Sequence, residues 1–164
     1  MIRHARAADH PAIAEIVEAA FGQPDEARLV ERLRADGDVL FELVAIEDGR
    51  IDGHILFSRL WAQSPHLYAA LAPVAVRPSV QRAGLGSALV RASLEQAREF
   101  GAHGVIVLGH PAYYPRFGFS AGTAAQVRSV YAGGPAFMAL ALEPGAFDDP
   151  LHVTYPDAFS AGSG

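Results

Sequence analysis

The spacing of apolar positions changes several times along the chain, and each change marks an element. Ile2 to Arg6 reads as a short strand. The period then lengthens, with Ile13, Ile16, Val17, Ala20 and Phe21 forming one helical stripe. Asp9 stands ahead of that stripe as an expected cap, and Pro11 suits the first turn. Leu29, Val30 and Leu33 give a second helix from Asp25 to Asp36, stopped by Gly37. Phe41 to Ile46 and Ile51 to Leu60 read as strands, and Asp48-Gly49 between them predicts a hairpin turn. Leu67 to Val76 is almost wholly apolar, as a central strand covered on both faces would be.

A glycine-rich stretch, Val76-Arg-Pro-Ser-Val-Gln-Arg-Ala-Gly-Leu-Gly-Ser-Ala88, follows that strand. Beyond it Leu89, Val90, Ala92, Leu94 and Ala97 line one side of a helix from Ser87 to Phe100, ended by Gly101. Val105 to Leu108 is a further buried strand, Tyr113 to Phe117 a short turn or helix, and Ala136 to Leu142 a late strand. The order predicts an α/β fold in a single domain, a mixed central sheet flanked by helices. Its core runs over about residues 2–142, and 143–164 form a C-terminal extension ending in a loose Ser-Ala-Gly-Ser-Gly.

Composition narrows the chemistry. At 164 residues and 51% hydrophobic, the chain suits one soluble domain with a sizeable core. It has no cysteine, which removes disulfides, thiolate metal sites and cysteine nucleophiles; no metal site is expected. No apolar run reaches signal-peptide or membrane-spanning length, so a cytoplasmic protein without membrane contact is expected.

The net charge of −5 argues against nucleic acid as a partner. The charges are unevenly spread. Residues 1–60 hold 12 acids and 7 arginines, while 67–142 hold 2 acids and 6 arginines. Either these are solvated faces, or the basic middle meets an anionic ligand while the acidic start faces a cationic one. The sequence leaves monomer and homodimer both open.

A strand that feeds a glycine turn and then a helix aims free backbone N–H groups and the positive end of the helix dipole at one spot. Side chains at Gly84 and Gly86 would block an oxygen-rich group from that spot. The lysine of an ATP-binding loop is absent. Gly84-Leu-Gly-Ser-Ala-Leu89 ends in leucine where the dinucleotide fingerprint wants a small residue, and it comes mid-chain after a hairpin.

With its flanks, Val74-Ala-Val-Arg-Pro-x-x-Gln81-Arg-x-Gly-Leu-Gly-Ser-Ala-Leu89 resembles the acetyl-coenzyme A motif of the GNAT superfamily of N-acetyltransferases. Ala112-Tyr-Tyr-Pro-Arg-Phe-Gly-Phe119 resembles that superfamily's tyrosine and Gly-Phe segment, and the wider string Gly109-His-Pro-Ala-Tyr-Tyr-Pro-Arg-Phe-Gly-Phe119 is similar to a bacterial branch of predicted acetyltransferases. The resemblance implies acetyl transfer from acetyl-CoA to an amine substrate, a small molecule or a peptide. It also implies that Gln81, Arg82, Ala83, Gly84, Leu85, Gly86 and Ser87 hold the pyrophosphate, and that Val74 and Val76 track the pantetheine arm. Tyr114, four residues before the glycine of Gly-Phe, is implied as the group that protonates the leaving thiolate, with Tyr113 as its competitor.

The attacking amine must lose a proton, and Leu67 to Val76 contains no acid to take it. His54 and His110 are alternatives for that role, and Glu18, Asp25 and Glu26 could draw in a cationic amine. The segment Leu108-Gly-His-Pro111 lacks the asparagine that often contacts the cofactor in the superfamily. Pro115 disfavours helical geometry at Tyr114, so the helix there should be short or distorted. A non-catalytic acyl-CoA-binding or sensor module with the same fold is the alternative to the enzyme.

Overall fold

Asp48 and Gly49 have φ of 49° and 75°, the left-handed backbone that a two-residue hairpin turn requires. They join β2 (Val39–Glu47) to β3 (Arg50–Ala62), both longer than the sequence pattern predicts. The structure, a computed structural model, describes residues 1–161. The other strands are β1 (Ile2–His4), β4 (Leu67–Val76), β5 (Ala102–Leu108), β6 (Val127–Arg128), β7 (Phe137–Ala141) and β8 (Leu151–Thr154). The helices are α1 (His10–Phe21), α2 (Asp25–Ala35), α3 (Leu85–Phe100) and α4 (Ala158–Ala161).

Strand order along the main path is β1-β2-β3-β4-β5-β7. Neighbours on this path are antiparallel except β4 and β5, which α3 joins as a parallel crossover. β4 is therefore central, as its composition predicts. On one face, Leu89, Val90, Leu94 and Ala97 of α3 pack on Leu43, Ile55, Phe57, Ala69 and Val105. On the other, Ile13, Ile16 and Val17 of α1 and Ala27 of α2 cover Val44, Ile51 and Ala75.

The extension after residue 142 joins the fold. β8 pairs with Trp61 and Ala62 of β3, past the point where β2 stops at the Val39–Ser58 pair. Phe147, Leu151 and Val153 enter a cluster with Tyr68, Ile106 and Phe137. The Tyr68 hydroxyl donates to the Ala146 carbonyl at 2.6 Å. Of the expected loose tail, Ser160 and Ala161 lie in α4, and the remaining residues fall outside those described.

Two local expectations are corrected. Asp9 does not cap α1, because its own backbone is already helical (φ −81°, ψ −17°). Its carboxylate accepts instead from the Arg6 amide at 2.7 Å and the Arg3 guanidinium at 2.7 and 3.0 Å, which also ends the first strand early. Leu85 and Gly86 belong to α3: the Ala88 amide bonds the Gly84 carbonyl at 3.0 Å, closing the first helical turn two residues earlier than the sequence suggests. Among the described residues, no helix is long and apolar enough to cross a membrane, and no group of three or more His, Asp or Glu could hold a metal ion.

Candidate active site

The site begins where the sheet comes apart. Pairing between β4 and β5 runs from Leu67–Ala102 to Leu71–Val107 and then stops. Past Leu71, β4 bulges against β3, with Ile55 paired to Val74 and Phe57 to Leu71. Pro73 has no N–H to give to a ladder. Val74 to Val76 keep β3 on one side and have no β5 partner on the other among the described residues. A wedge thus opens in the middle of the sheet, and Val74 and Val76 line it.

The wedge leads to the glycine turn. Arg77 anchors the exit of β4: its Nε donates to Asp52 at 2.9 Å, its Nη2 to the Ile51 carbonyl at 2.7 Å, and its amide to the Asp52 carbonyl at 2.7 Å. Gln81 folds back to donate to the Val76 carbonyl at 3.0 Å. Arg82 (φ 67°) and Gly84 (φ 86°) are both left-handed, and α3 starts directly afterwards. Only glycine adopts that backbone without cost, so the turn is shaped by Gly84 and strained at Arg82.

Arg82 is exposed and makes no ion pair among the described residues. A side chain at Gly86 would begin 3.6 Å from Val76 Cγ2 and 3.7 Å from the Tyr113 hydroxyl. The protein itself tolerates a Cβ there, so the open face of Gly86 is available to a ligand. Gln81 to Gly84 are exposed and Leu85 to Ser87 partly exposed at the N-terminus of α3.

The two tyrosines point to different neighbours. The Tyr113 hydroxyl shares a 2.9 Å hydrogen bond with Ser87 Oγ in the first turn of α3. Arg116 lies over the Tyr113 ring at 4.4 Å, and its Nε donates to the Tyr113 carbonyl. Tyr114 instead packs its ring over Gly109, just past the end of β5, and meets Phe119 edge-on at 5.8 Å. Burial, then the neighbouring Tyr113, push the Tyr114 phenol up to about 12. Tyr114 stays a protonated O–H donor throughout the neutral range. The segment that carries it is a 3-10 turn over Tyr114–Phe117, short as Pro115 predicts.

His110 is exposed, and its carbonyl accepts the Tyr113 and Tyr114 amides at 3.0 and 3.3 Å. His54 is entirely buried on β3, and its Nε2 lies 2.8 Å from Glu42 Oε1. Arg34 of α2 closes on the same carboxylate at 2.9 and 2.7 Å. Burial opposes ionisation of Glu42, but hydrogen bonds from Arg34 and His54 outweigh it and hold the carboxyl at about 2. This chain of three was not visible in the sequence, because its members sit 8 and 12 positions apart on three elements.

A mixed sheet that splits between its parallel strands, with a glycine turn at the next helix and a tyrosine packed on Gly109 just past the end of β5, is the arrangement of an acyl-CoA-dependent transferase. The profile of the acetyltransferase (GNAT) family matches residues 10–119, and the chain belongs to that family. It is 39% identical over 113 residues to an uncharacterized N-acetyltransferase, YhbS, of Escherichia coli K12, covering 68% of each chain. The crystal structure of E. coli YhbS in complex with CoA superposes with a TM-score of 0.90 at 33% identity, covering 98% of this chain and 91% of the other. A GNAT family acetyltransferase from Brucella melitensis in complex with acetyl-CoA gives a TM-score of 0.81 at 35% identity, covering 97% of both. By its family this protein is an acetyltransferase.

Proposed function

We propose that this chain transfers the acetyl group of acetyl-CoA to a primary amine by direct attack, with the pyrophosphate on the turn Gln81 to Ser87 and the pantetheine arm along Val74 and Val76. The observation that carries this reading is the wedge: β4 loses β5 after Leu71, and the glycine turn and Tyr114 flank the opening it leaves. The relatives crystallised with CoA and acetyl-CoA support it. The amine attacks the thioester carbon, and an amide near Val74 donates to the developing oxyanion. The C–S bond then breaks with its electrons going to sulfur, and the Tyr114 O–H donates to the sulfur as charge develops there; because the thiol's ordinary pKa of about 8.5 lies well below that of the phenol, full proton transfer is uphill and is completed as the phenol regains a proton from solvent.

Exposed acids on the face of α1 and α2, Glu18 and Asp25 among them, favour a cationic acceptor. Substitution of Gly86 by Asp would put a carboxylate against the pyrophosphate. Calorimetry with coenzyme A should show binding to the wild type and loss of most of that affinity in Gly86→Asp. Thiol release from acetyl-CoA over a panel of polyamines, aminoglycosides, amino acids and peptide N-termini should find a turned-over cationic amine. Equal affinity in the two proteins would refute the phosphate assignment. Tight coenzyme A binding with no thiol release over the panel would mark a non-catalytic acyl-CoA module.

A further inference from the structure

Residues 67–142 carry 6 arginines against 2 acids. Arg77 binds Asp52 and Arg98 pairs with Glu95 at 3.8 Å, while the rest of those arginines have no acid partner among the described residues. The pyrophosphate assigned to the glycine turn accounts for Arg82 alone. Arg91 and Arg116 stand beside the same turn, and their charge is unused.

Two aromatic rings tie both side chains to the turn. Arg116 lies over the Tyr113 ring at 4.4 Å, and its Nε donates to the Tyr113 carbonyl at 2.9 Å. Tyr113 in turn reaches α3, with its hydroxyl 2.9 Å from Ser87 Oγ. Arg91 stands one helical turn beyond Ser87 on the same side of α3, and long side chains on a helix lean back toward its N-terminus. Its guanidinium sits over the Phe117 ring at 5.1 Å, and that ring meets Tyr113 edge-on at 5.3 Å. Ser87, Tyr113, Phe117 and the two guanidiniums therefore make one patch that starts at the turn and runs outward.

Both arginines are exposed. A guanidinium placed over a ring keeps its in-plane N–H groups for a second partner. Arg91 gives none of them to the protein among the described residues, and Arg116 gives only Nε. Glu95, one turn further along α3, is engaged with Arg98.

We propose that Arg91 and Arg116 bind the 3′-phosphate of coenzyme A and so make this chain discriminate coenzyme A from its dephospho form. This rests on the acetyl-CoA reading above. Coenzyme A is anionic in two places, the pyrophosphate and a phosphate monoester one ribose away. The patch matches that layout, since it begins where the pyrophosphate is placed and carries its free cations one tyrosine further out. A phosphate monoester holds close to two negative charges above pH ~6, and its oxygens accept paired N–H bonds from a guanidinium fork. The two rings fix the guanidiniums before the ligand arrives, so little side-chain freedom is lost on binding.

The test is calorimetry with coenzyme A and with dephospho-coenzyme A, at low and high salt, on wild type, Arg91→Gln, Arg116→Gln and Gly86→Asp. Wild type should bind coenzyme A ~10–100-fold more tightly than the dephospho form, and the gap should narrow at high salt. Each arginine variant should lose ~3–10-fold in affinity for coenzyme A while its affinity for dephospho-coenzyme A stays within ~2-fold of wild type. Unchanged binding of the dephospho form is the result that a merely structural role of the arginines would not give. Gly86→Asp should weaken both ligands alike. Equal affinity of wild type for the two ligands would overturn the proposal and leave the acetyl-CoA reading standing, as would arginine variants that lose both ligands equally. No binding of either ligand to wild type would overturn the acetyl-CoA reading as well.

Discussion

Replacing each tyrosine by phenylalanine separates their roles, and the structure sets the size of each effect. The Tyr114 hydroxyl has no hydrogen-bond partner among the described residues, so its removal leaves no orphaned group. Its ring would keep its contacts with Gly109 and Phe119. Folding and coenzyme A affinity should therefore be nearly unchanged in Tyr114→Phe. Loss of a positioned acid costs ~10²–10⁴ in kcat, about 2.7–5.5 kcal/mol of barrier. Tyr113→Phe deletes a half-buried hydrogen bond to Ser87, which contributes about 0.5–1.5 kcal/mol. Even if all of that falls on the turn, it weakens coenzyme A binding by ~2–12-fold and leaves kcat within a few-fold.

The assay is thiol release at saturating acetyl-CoA, with binding read by calorimetry. Because the Tyr114 phenol is held at about 12, the wild-type rate should show no loss from its ionisation below pH ~11. A kcat for Tyr114→Phe within a few-fold of wild type would refute the assignment, and the reverse pattern would transfer it to Tyr113.

Two further outcomes follow from groups away from the wedge. Asp9, held at about 2 mainly by its hydrogen bonds to Arg3, and Glu42, also at about 2, titrate below their unfolded values near 4. Their stabilisation is complete above those unfolded values and is lost as pH falls toward 2. His54, also depressed, adds a loss that begins below pH ~6.5. The urea midpoint should thus fall in two stages on acidification, and a flat midpoint between pH 7 and 3 would contradict these assignments. Tyr68→Phe orphans the buried Ala146 carbonyl and should destabilise the protein by ~1–3 kcal/mol in urea melts with kcat unchanged; a neutral effect would mean that this bond does not hold the extension.

The parts of the fold set by local pattern were legible in the sequence. The Asp48-Gly49 hairpin, the doubly covered Leu67–Val76 strand and the glycine turn each depend on residues adjacent in the chain. What was illegible depends on partners far apart. Asp9 is the local exception, since Arg3 and the Arg6 amide that claim its carboxylate stand only six and three positions away. Nothing near Leu151 says that β3 runs on past β2 and leaves Trp61 and Ala62 to be paired. At the site, the turn was readable from its glycines, but the split that makes it useful appears only as missing rungs between β4 and β5. Likewise Tyr113 and Tyr114 are equivalent as letters, and the 3-10 turn beginning at Tyr114 sends one to Ser87 and the other over Gly109.

The stitching of β8 to β3 bears on how the chain is born. Tyr68 meets Ala146 across 78 positions, and Trp61 meets Thr154 across a wider gap. A nascent chain can raise the β2–β3 hairpin and lay β4 beside it early. Until β8 has been made, Trp61 and Ala62 offer an unsealed sheet edge, and Tyr68, Ile106 and Phe137 wait with their cluster unfilled. Contacts of such long separation close late and slowly. For that interval the half-made protein presents an edge of the kind that invites pairing with another chain. The rungs of β8 therefore act as a seal that the chain can apply only after Thr154 has been made.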